Sequence, residues 1–200
     1  MIEDNRTELL RQIKDEVINL KTSPLYAERM RNKAHCVIGE GSHCASIMFV
    51  GEAPGRNEAL TGRPFAGAAG RVLDEMLATV GIVRKDVYIT NIVKDRPTNN
   101  RDPLPEEIAC YAPFLDRQIE IIQPKIIVML GRYSMKYLLE KFGLGAELTT
   151  ITRMHGKLFM AQASYGTLTL MPIYHPAATL YNPNLKKDLA KDFELLKGFI

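Results

Sequence analysis

Apolar residues along this chain follow two alternating rhythms. Leu9, Ile13, Val17 and Leu20 recur at helical spacing and predict an amphipathic helix from Asn5 to Leu20, with Asn5 and Glu8 placed as a capping box. Val72, Leu73, Met76, Leu77 and Val80 predict a second helix over residues 67–80, and similar patterns cover 105–122, 132–142 and 185–198. Pro105 suits a first helical turn, whereas Pro113 is expected to kink or split the helix that holds it. Between these segments lie short apolar runs over 46–51, 87–91, 125–130, 157–161 and 168–173. Several are continuous and rich in Ile and Val, as strands buried on both faces tend to be. Residues 21–45 read as mostly irregular. Strands alternating with helices predict an α/β fold with a mostly parallel sheet covered on both sides. The 200 residues fit one domain, 1–200, with 1–23 as an N-terminal helix and lead-in. Ligands in such sheets sit at the carboxyl ends of strands, which gathers the loops 51–65, 91–103 and 174–184 into one place.

Composition narrows the class only a little. Apolar residues make up 46% and charged residues 24%, and the net charge of +3 permits nucleic-acid binding without demanding it. No apolar run approaches the ~18 residues of a membrane span. The start, Met1-Ile2-Glu3-Asp4, lacks the basic and apolar stretches of a signal peptide. Three cysteines without regular spacing fit a reducing compartment. The expectation is a cytoplasmic monomer that does not enter a membrane.

The chemistry concentrates in the three loops. The first runs Gly51-Glu52-Ala53-Pro54-Gly55 to Gly62-Arg63-Pro64-Phe65-Ala66-Gly67, and residues 51–70 hold five glycines and two prolines. Glycine loses the most entropy on ordering, so such a loop argues for close backbone approach to a ligand. It matches neither G-x-x-x-x-G-K-[ST] nor G-x-G-x-x-G, which weighs against nucleotide binding of the general α/β type. It offers two carboxylates, Glu52 and Glu58, and one aromatic, Phe65; the plainer alternative is solvated glutamates and a core phenylalanine. In the second loop Asn91 ends a strand, where its amide offers a donor and an acceptor together, and Lys94, Arg96 and Arg101 could meet phosphates. The alternative there is an ordinary turn. In the third, His175 ends a strand and could donate to a developing anion or exchange a proton.

Six segments occur in order: Gly-Glu-Ala-Pro-Gly at 51–55, Gly-Arg-Pro-Phe-Ala-Gly at 62–67, Tyr-Ile-Thr-Asn at 88–91, Asn-Asn-Arg-Asp-Pro at 99–103, Leu-Gly-Arg at 130–132 and His-Pro-Ala at 175–177. In these the chain closely resembles the family-four uracil-DNA glycosylases over roughly residues 24–198. The resemblance implies a three-layer α/β/α sandwich and hydrolysis of the bond joining uracil to deoxyribose in a flipped-out nucleotide. It implies that Phe65 stacks on the base, that Asn91 pairs with the uracil edge, and that His175 bonds the oxygen that gains charge. Some related glycosylases carry an aspartate where this chain, like family four, has Ala53. Glu52 and Glu58 are then the candidates to orient water or offset charge on the sugar, and Glu58 alternatively walls off the thymine methyl. Leu180 is the expected wedge into the gap left by the base. Tyr181 stands where relatives often have a basic residue, and either stacks on a neighbouring base or simply packs. Arg63 joins the second-loop cations as a candidate DNA contact.

The family also typically carries an iron–sulfur cluster on four cysteines. Only one of those positions is cysteine here, Cys110; the second-loop position is Asp95, and the N-terminal pair falls near Leu20 and Ser23. The expectation is no cluster, with Asp95 paired to a nearby cation instead. Zinc on His35, Cys36, His43 and Cys44 is disfavoured because their spacing is not that of a recognised finger. The competing reading is a catalytically weak relative that grips uracil-containing, abasic or single-stranded DNA.

Overall fold

The structure, a computed structural model, describes residues 4–200. Its frame is a six-stranded sheet in the order β1-β3-β2-β4-β6-β5, with β1 Glu40–Gly41, β2 Ile47–Gly51, β3 Tyr88–Asn91, β4 Ile126–Leu130, β5 Phe159–Ala163 and β6 Gly166–Ile173. The four inner strands run parallel, and the two edge strands are antiparallel. Side chains alternate faces along a strand, so each inner strand feeds two cores. Met48 and Val50 of β2, with Ile127 and Met129 of β4, face one core; Ile47 and Phe49, with Ile126, Val128 and Leu130, face the other.

Helices α1 Arg6–Ile18, α5 Pro105–Ile122 and α6 Arg132–Lys141 close the first core through Ile13, Val17, Leu115, Ile119 and Leu138. Helices α4 Ala68–Thr79 and α9 Leu185–Glu194 close the second through Leu73, Leu77, Leu189 and Phe193. The result is the expected three-layer α/β/α sandwich. Short helices α2 Tyr26–Arg31, α3 Arg56–Thr61, α7 Ile151–Met154 and α8 Ala178–Tyr181 lie in the connections.

Several local expectations change. Asn5 makes no capping bond, and Glu8 instead pairs with Arg11 at 2.9 Å. α5 runs unbroken through Pro113, which sits on its exposed side, and Ala109, whose carbonyl loses its helical donor, is also exposed. The strand expected at 157–161 lies two residues later, because β5 and β6 form a hairpin whose turn sets the pairing Ala163 to Gly166. Residues 21–45 hold α2 and β1 rather than irregular chain alone. The last helix stops at Glu194 and continues as a 3-10 turn, Leu195–Phe199.

Candidate active site

A cavity of about 590 Å³ opens at the carboxyl ends of β2 and β3. Its wall takes Glu52, Ala53, Glu58 and Phe65 from the first loop, Asn91 and Arg101 from the second, and His175 and Tyr181 from the third. The three loops therefore converge as the topology of the sheet requires.

Backbone geometry brings the central groups together. Gly51 and Asn91 are partners across β2 and β3. A Cβ on Gly51 would collide with the Asn91 amide oxygen and lie 2.9 Å from the Phe65 ring, so the missing side chain is what lets those two groups meet. Gly131, at φ +92°, makes the turn from β4 into α6; a Cβ there would stand 3.1 Å from the Cβ of His175. Phe65 and His175 are stacked, with ring centroids 5.6 Å apart and planes inclined by 27°.

Phe65 holds a left-handed backbone, φ 49°, which costs a non-glycine residue about 1–2 kcal/mol. Two neighbours offset that strain. Glu58 Oε1 accepts hydrogen bonds from the backbone N–H groups of Ala66 at 2.8 Å and Gly67 at 3.0 Å, and Arg84 donates to the Pro64 carbonyl at 2.7 Å. Glu58 thus braces the turn that presents Phe65, and one of its oxygens is already engaged.

Burial pushes the pKa of His175 down to about 4, against a smaller opposing pull from Glu58, so the ring is neutral at pH 7. The backbone N–H of Ala177 donates to Nδ1 at 3.1 Å. In the neutral ring the proton is then on Nε2, which makes that nitrogen a donor. Glu52 moves the opposite way. Burial first, and the Asp102 carboxylate second, raise it to about 7, with Arg132 acting in the other direction.

The cations divide. Lys94 does not meet phosphates as its place in the chain suggests: its side chain is fully buried and its Nζ is bound to Thr90, Asn91 and Gln118. It cannot reach DNA, because it turns inward beneath the end of β3. Arg101 lines the cavity while its guanidinium holds Glu107 at 2.8 and 2.5 Å. Arg96 donates to Asn100 at 2.6 Å, and Arg63 pairs with Glu40 at 2.8 Å; neither belongs to the cavity wall. At the mouth, Leu180 is 49% exposed and Tyr181 90% exposed. Asn57 and Asn100 also line the cavity and were not singled out from sequence. Both are exposed residues at the cavity rim: Asn57 lies on α3 inside the glycine loop, and Asn100 has a left-handed backbone at φ 55°.

Residues 38–197 match the model of the uracil DNA glycosylase superfamily. The chain belongs to that superfamily. It is 49% identical over 189 residues to a type-4 uracil-DNA glycosylase of Sulfurisphaera tokodaii, covering 94% of this chain and 83% of that protein. A type-4 enzyme of Archaeoglobus fulgidus is 45% identical over 90% of this chain and 89% of its own length. One from Thermotoga maritima is 39% identical over 98% and 96%.

The iron–sulfur cluster that the family resemblance implies does not fit the residues here. At its second-loop position Asp95 is buried, bound by the Arg29 guanidinium at 3.1 Å and by the Tyr111 hydroxyl at 2.6 Å. Ser23 shares the Tyr111 hydroxyl at 2.6 Å, and Leu20 packs on the first core. One thiol, Cys110, cannot supply four thiolate ligands. Three of the four zinc candidates are already engaged elsewhere: His43 bonds Thr7 at 2.8 Å, Cys44 contacts Asp4 at 3.5 Å, and Cys36 packs on the core. Among the described residues no group of three or more His, Cys, Asp or Glu is placed to hold a metal.

Proposed function

We propose that this protein is a uracil-DNA N-glycosylase that hydrolyses the bond between uracil and deoxyribose after the nucleotide is flipped out of DNA. The observation that carries the reading is the meeting of the Phe65 ring, the Asn91 amide and a neutral His175 at one cavity. A flipped pyrimidine stacks on Phe65. The Asn91 amide offers one donor and one acceptor to the uracil edge and meets cytosine with a mismatched pattern. Uracil leaves as an anion, and the His175 Nε2–H donates to the oxygen that gains charge, so the transition state is stabilised more than the ground state. Ala53 lies beside the base and carries no group able to act on water.

Water falls to Glu52, whose raised pKa suits proton exchange near neutrality. Glu58 keeps Phe65 in place and puts negative charge near the sugar. Leu180 and Tyr181 press into the groove and fill the vacated step, with Arg63, Arg96 and Arg101 along the phosphates. The protein works without a cluster or metal, as a monomer in the cytoplasm. The elements a cluster would tie together are held instead by Arg29, Asp95, Tyr111 and Ser23.

The test is incubation with uracil-containing DNA, single- and double-stranded, followed by alkali. Uracil-dependent strand cleavage is expected; tight uracil-dependent binding without cleavage would replace this reading with that of a binding protein.

Glu52 adds a second prediction. The single-turnover rate is expected to rise with pH through about 7, and Glu52→Gln to lower it and flatten the profile. The sign for stability is the reverse. The folded carboxyl holds its proton to a higher pH than the unfolded one, so Glu52 costs stability as pH rises from 4.5 to about 7. Glu52→Gln should therefore raise Tm above neutrality and leave it nearly unchanged in acid, read by thermal melts at the two extremes. An unchanged pH–rate profile in the variant would remove Glu52 from the water step.

A further inference from the structure

Lys94 is the buried titratable group that the reading above leaves without a role. Its ammonium nitrogen lies 2.8 Å from Thr90 Oγ1, 2.6 Å from the Asn91 backbone carbonyl and 2.6 Å from Gln118 Oε1. All three are acceptors. The Asn91 carbonyl can only accept. The Thr90 hydroxyl spends its single proton on the Ile38 carbonyl at 2.6 Å, its shortest contact to an acceptor. Gln118 is oriented by its Nε2, which donates to the Ile38 carbonyl at 3.0 Å and to the Tyr88 hydroxyl at 3.1 Å, leaving Oε1 toward the lysine. Three acceptors call for three N–H donors. The ammonium has three and fills all three contacts; a neutral amine has two, and its lone pair would find a donor only if the Thr90 hydroxyl gave up its shorter bond to the Ile38 carbonyl.

We propose that Lys94 is a positioning residue for uracil excision, a buried cation that grips the end of β3 behind Asn91 and stabilises the negative charge gathering on the departing base. It touches neither base nor sugar. It acts through Asn91, whose carbonyl it holds while the same residue's side chain lines the cavity. Burial drives the lysine pKa well below its usual value; the geometry opposes it, because acceptors at 2.8, 2.6 and 2.6 Å favour the charged form. Among the described residues no carboxylate pairs with Nζ, so its field is not cancelled locally. In a poorly solvated interior such a field reaches several ångströms further than it would in water. It also answers a need of this site: His175 is neutral and supplies a dipole rather than a charge.

This inference rests on the uracil-excision reading, and the experiment separates the two. Single-turnover cleavage is measured for the wild-type protein and for Lys94→Met on DNA carrying uracil or 5-fluorouracil. The fluorinated base leaves as a more stable anion and needs less help. Folding is checked by circular dichroism and melting. Lys94→Met is expected to slow uracil release about 10- to 100-fold with DNA affinity within about twofold, and to slow 5-fluorouracil release clearly less. A folded variant with wild-type rates, or with equal losses on both bases, overturns the proposal; a merely structural lysine would give the equal loss. Wild-type protein that cleaves neither DNA would overturn the uracil reading, and this inference with it. Should Lys94→Met not fold, nitrogen-15 NMR of lysine-labelled wild-type protein decides at neutral pH: an ammonium at Lys94 supports the proposal, and a neutral amine ends it.

Discussion

Replacing His175 by alanine is expected to lower the single-turnover rate of uracil release by about 10²- to 10³-fold, with little change in DNA affinity. The argument is geometric and electrostatic together. Nδ1 is occupied by the Ala177 N–H, and burial keeps the ring neutral, so the one proton on Nε2 is the donor offered to the base. A donor set in place before the reaction needs no reorganisation as charge develops, and its loss therefore falls on the rate rather than on binding. The neutral ring also predicts no loss of rate attributable to His175 between about pH 5 and pH 8. His175→Gln should recover part of the rate, since an amide can donate from a similar place. Rapid-quench kinetics with DNA affinity measured separately would read both quantities. A His175→Ala variant that cleaves within about threefold of wild type would remove the imidazole from the chemistry.

The largest effect on stability is expected at Arg29. Its guanidinium holds both oxygens of Asp95 at 3.1 and 3.2 Å and donates to the Val17 carbonyl at 3.1 Å and to the Ile18 carbonyl at 2.5 Å. One side chain thus ties the C-terminal end of α1 to the second loop, and Tyr111 and Ser23 carry the tie to α5 and the lead-in. Burial alone raises the Asp95 carboxyl, with Tyr111 and Arg29 acting to lower it. Arg29→Met strips away the cation and leaves a buried carboxylate and the Ile18 carbonyl short of a partner, while the Val17 carbonyl keeps the Leu20 N–H at 3.2 Å. Breaking such a pair costs about 3–5 kcal/mol, a fall in Tm of roughly 10 °C for a domain of this size. Arg29→Met with Asp95→Leu should recover much of that loss, because apolar residues replace a buried ion pair better than half of it survives alone. Thermal melts of the single and double variants decide it. A single variant that melts within about a degree of wild type would mean that the network does not hold these elements together.

The layered fold was legible in the chain because alternation and helical spacing are local properties. Ile47 to Val50 and Ile126 to Leu130 had to be buried on both faces, and the helices between them had to cover the sheet. Edges and ends were read less well. The β5–β6 hairpin is set by a turn, and the two short helices α2 and α3 lack the length to show a period. At the site, Phe65, Asn91 and His175 were recognisable from ordered motifs, whereas the positions of Asn57 and Asn100 depend on backbone conformations that no spacing announces.

Lys94 marks the boundary most clearly. In the chain it is a cation between Val93 and Asp95 in a loop with two arginines nearby, and a phosphate contact is the natural expectation. Its direction was decided by Thr90, Asn91 and Gln118, the last of them 24 residues further on in α5, which together offer acceptors below the strand end. The amino-acid order by itself determined which residues are apolar in what rhythm, and so the sandwich, the sheet and the loops that meet at one end. Only the tertiary structure decided which polar side chains face the cavity and which turn inward, because that choice belongs to partners brought from distant parts of the chain.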